Sequence, residues 1–370
     1  MLFFELLQIA LGNRERLSKT PSAAEWAEIY AESERQAVTG LLIHGIDRLP
    51  TEQRPSKVLL LQWIGVGQMI EQRNRLLNDR CKELLSNLTS AGLHPTILKG
   101  QGIAQCYPEA LQKLRQPGDI DVYVSDGRGK AIEHARSIGQ KDIDWDYKHL
   151  HLNMWDDTEV EMHYHVEVLL NLWKNRKLQK WFREHQDAIQ GSKFKVQGDD
   201  VVTPTVEFNV FYILLHIYRH FLYEGVGLRQ IVDYYFVLRT VHGEGLKVQD
   251  YVEAVREFGM EKFAKGLMWV MHETLGMPRE WMLWEPDEKE GKYILKQVMT
   301  GGNFGHHDKR LKHGQSKLSA VKAILTHNLH LLTHYPSDVI WAPVWIVWHK
   351  CWKASYTIKC FFRYKQLKSI

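Results

Sequence analysis

The stretch Arg115-Gln-Pro-Gly-Asp-Ile-Asp-Val-Tyr-Val124 decides how this chain is read. Ile120, Val122 and Val124 alternate with Asp119, Asp121 and Tyr123, the period-two pattern of a strand with one apolar face. Two carboxylates spaced by two on a strand point to the same side. They repel one another unless a cation lies between them or one is protonated. Magnesium takes oxygen ligands, often one or two carboxylates together with substrate phosphates. A strand carrying Asp119 and Asp121 is therefore a platform for metal-bound nucleotide. Asp-x-Asp on an exposed strand is common, so further features must raise its weight. Pro117-Gly118 makes a turn immediately before it, and Glu161 stands 42 residues after Asp119 on another predicted strand, opposite in facing to Val160 and Met162. A hairpin beside the Asp-x-Asp strand would bring Glu161 to the same site, to ligate a second ion or take a proton from an attacking hydroxyl.

Outward from that stretch, the pattern is a small mixed unit. His94 to Leu98 is a short apolar run ending in Lys99-Gly100, Lys130 to Ile138 reads as helix, and His149 to Met154 and Val160 to His165 alternate as a strand hairpin about an Asp156-Asp157 turn. The flanks differ. Met1 to Leu11 reads as a helix, Ser22 and Glu25 have capping-box spacing, and Leu59, Trp63, Val66, Ile70, Leu77, Leu84 and Leu88 recur at helical intervals. A helical pattern resumes at Glu167, a short strand pair lies around Phe194 to Val202, and residues 205 to about 275 and the last fifty read as helix. The expected fold is α+β: a nucleotide-handling core over 91–200 between helical regions 1–90 and 201–370.

At 370 residues with 44% hydrophobic and 25% charged residues, the chain is globular and neither disordered nor fibrous. Lys+Arg 48 against Asp+Glu 44 gives +4, and partial protonation of the 19 histidines brings it to about +8 near neutrality. Such a surplus admits an anionic partner without indicating nucleic acid. Cys81, Cys106, Cys351 and Cys360 form no Cys-x-x-Cys pair, so neither a disulfide framework nor a structural zinc site is expected. Met1 to Leu11 lacks the basic leader of a signal peptide, and the longest uncharged run near the end, Val339 to Trp348, is too short to span a bilayer. A cytoplasmic protein without stable membrane insertion is expected.

Several motifs in order resemble a known family. Ile97-Leu-Lys-Gly-Gln-Gly-Ile-Ala104, Tyr107-Pro108, Arg115 and Gly118-Asp-Ile-Asp121 are similar to the uncharacterised bacterial nucleotidyltransferases of the DNA polymerase beta-like superfamily. The later family strand reads Asp-Leu-His-Trp, where this chain has Glu161-Met-His-Tyr164. The likeness continues into His216-Ile-Tyr-Arg-His220 and Leu228-Arg-Gln-Ile-Val-Asp233, covering roughly 90 to 240. Two departures stand out. The superfamily's Gly-Ser or Gly-Gly about ten residues before Asp-x-Asp is replaced by Lys99-Gly100-Gln101, with Gly100 lying 19 residues upstream of Asp119. Phosphate binding is then left to backbone amides, Lys99 and Arg115. Glu161 in place of aspartate adds one methylene.

The resemblance implies transfer of a nucleoside monophosphate from an NTP, ATP foremost, to an acceptor that is a small molecule, a protein or a tRNA end. Asp119, Asp121 and Glu161 would hold two Mg2+ (or Mn2+) ions. Each supporting residue has a plainer reading beside the functional one. Lys99 meets triphosphate or is a solvated turn lysine, and Gly100 admits a phosphate or merely turns the chain. Gly118 belongs to the motif turn. Arg115 neutralises phosphate or pairs with an aspartate. His163 and His165 orient substrate or are satisfied strand histidines, while His149 and His151 lean to the latter. His216 and His220 share a helix face at a zinc-compatible spacing, but the glutamate of His-Glu-x-x-His is absent, so closure over nucleotide or acceptor is the expectation. Arg229 and Asp233 form an i,i+4 ion pair, or Arg229 contacts phosphate while Asp233 holds it. Gly301 to Gly305 with His306, His307, Lys309, Arg310 and Lys312 is an anion-binding rim or a solvated loop. Trp341, Trp345, Trp348 and Trp352 form a packing stripe. With several histidines in the cleft, activity should fall as pH drops through about 6.5. The competing functions are a catalytically silent nucleotide-binding or scaffold protein and a metal-dependent phosphohydrolase.

Overall fold

The structure is a computed structural model that describes residues 1–196, 198–303 and 331–367, with side chains as far as 357. Four helices lead the chain: α1 (Leu2–Leu11), α2 (Ala23–Arg35), α3 (Thr39–Arg48) and the long α4 (Lys57–Ser90). Ser22 accepts from the Glu25 backbone N–H while the Glu25 side chain accepts from the Ser22 N–H, so α2 begins with the reciprocal box that the spacing predicts.

The sheet follows, built from β1 (Pro95–Ile97), β2 (Ile120–Val124), β3 (His149–His151) and β4 (Val160–His163), with the short helix α5 (Glu109–Gln112) before β2 and α6 (Arg128–Ser137) after it. Its spatial order is β1-β2-β4-β3. β1 runs antiparallel to β2, β2 parallel to β4, and β3 antiparallel to β4. This is an α+β arrangement with a small mixed sheet.

Register makes the site. Asp121 lies opposite Glu161, and Glu161 opposite His151. One pleat further, Tyr123 lies opposite His163, and His163 opposite His149. Directly paired residues project to one side, so a polar row and a histidine row stand on a single face. The other face carries Ile120, Val122, Val124, Leu150, Val160 and Met162, packed with Leu77, Leu84 and Leu88 of α4 and Ala131 and Ala135 of α6.

The helical pattern expected from Glu167 starts later. α7 runs Leu172–Glu184, capped by the Asn171 side chain accepting from the Trp173 and Lys174 backbone amides. Residues 167 to 171 stay irregular because Glu167 is fully buried against cations, as described below. After α8 (Gln186–Ile189), β5 (Ser192–Val196) and β6 (Asp199–Thr203) pair as an antiparallel hairpin. Then come α9 (Val206–Tyr223), α10 (Leu228–Glu244), α11 (Gln249–Glu257), α12 (Glu261–Leu275) and α13 (Glu288–Gly301). They share one large apolar core with α1 to α3, including Phe208, Tyr212, Tyr234, Phe236 and Phe263. α4 spans both cores, with Trp63 in the helical one and Leu77 to Leu88 under the sheet.

The last helix, Pro336–Leu367, crosses the sheet side of the molecule. Trp345, Trp348 and Trp352 meet the Tyr147 ring edge-on at 5.5, 5.1 and 5.0 Å between centroids. The tryptophan stripe therefore packs, as its spacing predicts. Gly301 ends α13, and the basic residues His306, His307, Lys309, Arg310 and Lys312 lie outside the described residues. Among the described residues, no helix is long and apolar enough to cross a membrane.

Candidate active site

A cavity of about 500 Å³ opens between the polar face of the sheet, α9, α10 and the last helix. At its centre Asp121 is buried, with Lys99 Nζ 2.8 Å and His163 Nε2 2.9 Å from the same Oδ1. His163 Nε2 also lies 3.2 Å from Glu161 Oε2, so one imidazole bridges both carboxylates.

The electrostatics follow from that crowding. Burial would raise the Asp121 carboxyl, but Lys99 and the His163 hydrogen bond outweigh it and hold it well below the usual range. Glu161 is brought to about 2, its burial overcome by the His163 hydrogen bond. Burial opposes the Lys99 charge, yet Asp121, Asp119 and Glu161 together lift it to about 12. His163 is raised, because hydrogen bonds to Asp121 and Glu161 overcome its burial. Asp119 behaves differently. It sits one residue before β2, half-buried, and its carboxyl is pushed up, first by the Asp121 charge and then by burial. Two like charges on one face and a third opposite are the donor chemistry of a hard divalent ion.

Lys99 owes its position to β1 and the turn after it. Leu98 N–H donates to Asp121 O at 2.9 Å, and Gly100 adopts φ +54, a left-handed conformation that favours glycine. Gly118 lies where a Cβ would come within 3.3 Å of Arg229 Nη1. Arg229 Nη1 also donates to Gln116 O at 3.3 Å, so this guanidinium supports the turn that carries Asp119.

Arg115 holds Asp233 in a two-point fork, Nε to Oδ1 at 2.7 Å and Nη2 to Oδ2 at 2.8 Å, and Tyr107 O–H donates to the same Oδ1 at 2.6 Å. Arg115, reaching Asp233 from the loop, matches its carboxylate in two-point geometry, a partner that neither reading of Arg229 and Asp233 anticipated. All of Lys99, Gly100, Arg115, Gly118, Asp119, Asp121, Glu161, His216, His220, Arg229 and Asp233 border the cavity, and His163 stands buried behind its two carboxylates.

His216 and His220 face different acids. His216 Nδ1 is 3.1 Å from Glu167 Oε2, and His220 Nδ1 is 2.8 Å from Glu224 Oε2. Burial pushes both imidazoles down, so they stay neutral near pH 7. The same holds for His149 and His165, each brought to about 4 chiefly by burial. The expected activity change near pH 6.5 therefore finds no support in these four rings.

Sequence reasoning missed the second half of the cavity. Glu167 has no exposure, with Lys148 Nζ at 3.0 Å and Arg219 Nε at 3.1 Å from its Oε1. A single acid within Val166-Glu-Val-Leu-Leu170 was the available signal. Trp345, His349 and Lys350 of the last helix complete the wall, with His349 Nε2 accepting from the Tyr147 backbone N–H at 3.2 Å. Their stripe read only as packing.

The model of a family described as "Uncharacterised nucleotidyltransferase" matches residues 22–276, which contain every one of these groups except those of the last helix. No curated protein and no solved structure matches the chain.

Proposed function

Because the chain belongs to that nucleotidyltransferase family, we propose that it moves a nucleoside monophosphate from an NTP, ATP foremost, to an acceptor hydroxyl or phosphate. One observation carries the reading. Asp121 and Glu161 are register partners on adjacent parallel strands, with Asp119 two residues before, all bordering one cavity with Lys99.

The acceptor oxygen attacks the α-phosphorus, the bond from that phosphorus to the bridging oxygen breaks, and pyrophosphate leaves. Asp119, Asp121 and Glu161 would hold Mg2+ or Mn2+, which supplies charge neutralisation on the phosphates. The side chains do the rest. Lys99, nearly buried and firmly charged, meets the triphosphate as an exchange of anionic partners from Asp121. His163 fixes the orientation of Asp121 and Glu161 from behind. Glu161, held at about 2, suits ligation better than proton abstraction. Arg115, locked on Asp233, forms a fixed, charge-compensated part of the wall. The acceptor would enter from the side of Lys148, Arg219 and the last helix.

The test is Asp121→Asn with NTP binding and pyrophosphate release measured on labelled NTPs and a cell extract. Loss of turnover by at least about a hundredfold with folding intact is expected. Transfer surviving within tenfold would remove Asp121 from the chemistry. Product analysis separates transfer from phosphohydrolysis, and NTP binding without turnover would mark a silent binder.

A further inference from the structure

The polar face of the sheet holds more nitrogen than an oxygen-only magnesium site uses. His149, His151 and Glu161 come from facing positions of β3 and β4, and one donor atom from each lies within 4.8 Å of the others. Asp119 is in neither of the donor groups found among the described residues. His149 Nδ1 is buried without a hydrogen-bond partner, 3.6 Å from Glu161 Oε2. That is long for a hydrogen bond. It is close to the separation of about 3.4 Å expected for two ligands each about 2.1 Å from one tetrahedral ion. His151 Nδ1 stands 3.4 Å from the Glu159 carboxylate, the kind of outer acid that orients a ligating imidazole.

We infer that His149, His151 and Glu161 form a three-ligand site for a borderline divalent ion, zinc foremost, with the Glu161 carboxylate bridging it to the oxygen-only platform that Glu161 shares with Asp119 and Asp121. Two imidazoles and one carboxylate with an open fourth position are a zinc donor set. Magnesium favours all-oxygen sites and keeps its waters, and the affinity order of first-row ions places zinc far above manganese on nitrogen ligands. The ion stays bound without nucleotide, whereas magnesium enters with the triphosphate. This rests on the nucleotidyl-transfer reading only for the ion's purpose, which is to offset the acid cluster around Glu161 before a triphosphate arrives.

The experiment uses the full chain, freed of metal by a chelator, checked by circular dichroism and titrated with zinc in the absence of nucleotide. Cobalt(II) serves as the spectroscopic substitute. One zinc per chain and the visible bands of four-coordinate cobalt are expected. His151→Ala and His149→Gln should each weaken zinc at least about tenfold and abolish the bands, while Asp119→Asn retains both. His151 is partly exposed, so its variant tests the site even if the His149 variant folds poorly. Absence of stoichiometric zinc in the wild type, or unchanged binding in the His151 variant, overturns the inference. So does loss of the ion in Asp119→Asn, which would assign it to the acid platform. Histidine-dependent zinc binding in a chain without transfer activity would sink the functional reading and leave the metal site standing.

Discussion

Asp119 shows what a single residue reveals about the site. Its carboxyl is raised by Asp121, so its charge opposes folding at neutral pH. A raised carboxyl favours the folded state at low pH, and that advantage is lost as pH rises through its folded value. Asp119→Asn should therefore leave metal-free stability unchanged or higher by up to about 1 kcal/mol, while abolishing transfer. Urea unfolding set against pyrophosphate release measures the two effects, and a clear destabilisation would contradict the repulsion. At this scale the sequence was informative: Asp119 and Asp121 were legible from strand alternation and the preceding Pro-Gly. Glu167 was not, because burial of one acid depends on Lys148 and Arg219 from other elements.

Elements are held at the site by pairs that the local pattern does not announce. The Arg115–Asp233 fork, with Tyr107, ties the loop before β2 to α10 across 118 residues. Arg115→Met leaves a buried carboxylate uncompensated and should destabilise by about 3–5 kcal/mol. The double change Arg115→Met with Asp233→Leu should lose less than the sum of the single changes, a coupling read from chemical denaturation. His165 makes a second joint, stacked on Tyr147 at 4.6 Å between ring centroids. Burial, helped by Arg128, brings it to about 4. The unfolded chain takes a proton below about 6.5 and the folded chain only near 4. Stability from this ring is thus complete above pH 6.5 and falls between there and 4, by at most about 3 kcal/mol. His165→Gln should flatten the stability profile between pH 7 and 5. The strands and most helices were legible because period two and period 3.6 are written locally. The delayed start of α7 was not, since an apolar run around Glu167 reads as helix until its tertiary partners are known.

The whole molecule is closed by a helix beyond the family match. Arg128 lies over the Trp352 ring at 4.4 Å and the Tyr356 ring at 3.9 Å, and Trp145 meets Trp352 edge-on at 5.9 Å. Trp352→Ala should cost about 2 kcal/mol of docking through lost aromatic and cation–π contacts. Faster proteolysis within 336–357 and a weakened affinity for the acceptor, at unchanged NTP affinity, are the expected signs; equal loss of both would place the helix on the nucleotide. The sequence by itself determined the α+β class, the Asp-x-Asp strand, the helical flanks and the family motifs, because each is carried by neighbouring residues. Tertiary structure alone decided that β2 and β4 run parallel with Asp121 opposite Glu161, that Asp233 belongs to Arg115, and that Lys148, Arg219 and Trp345 share the cavity. Those pairings join residues far apart in the chain, and only packing, register and the desolvation of charge choose between the partners that the sequence leaves open.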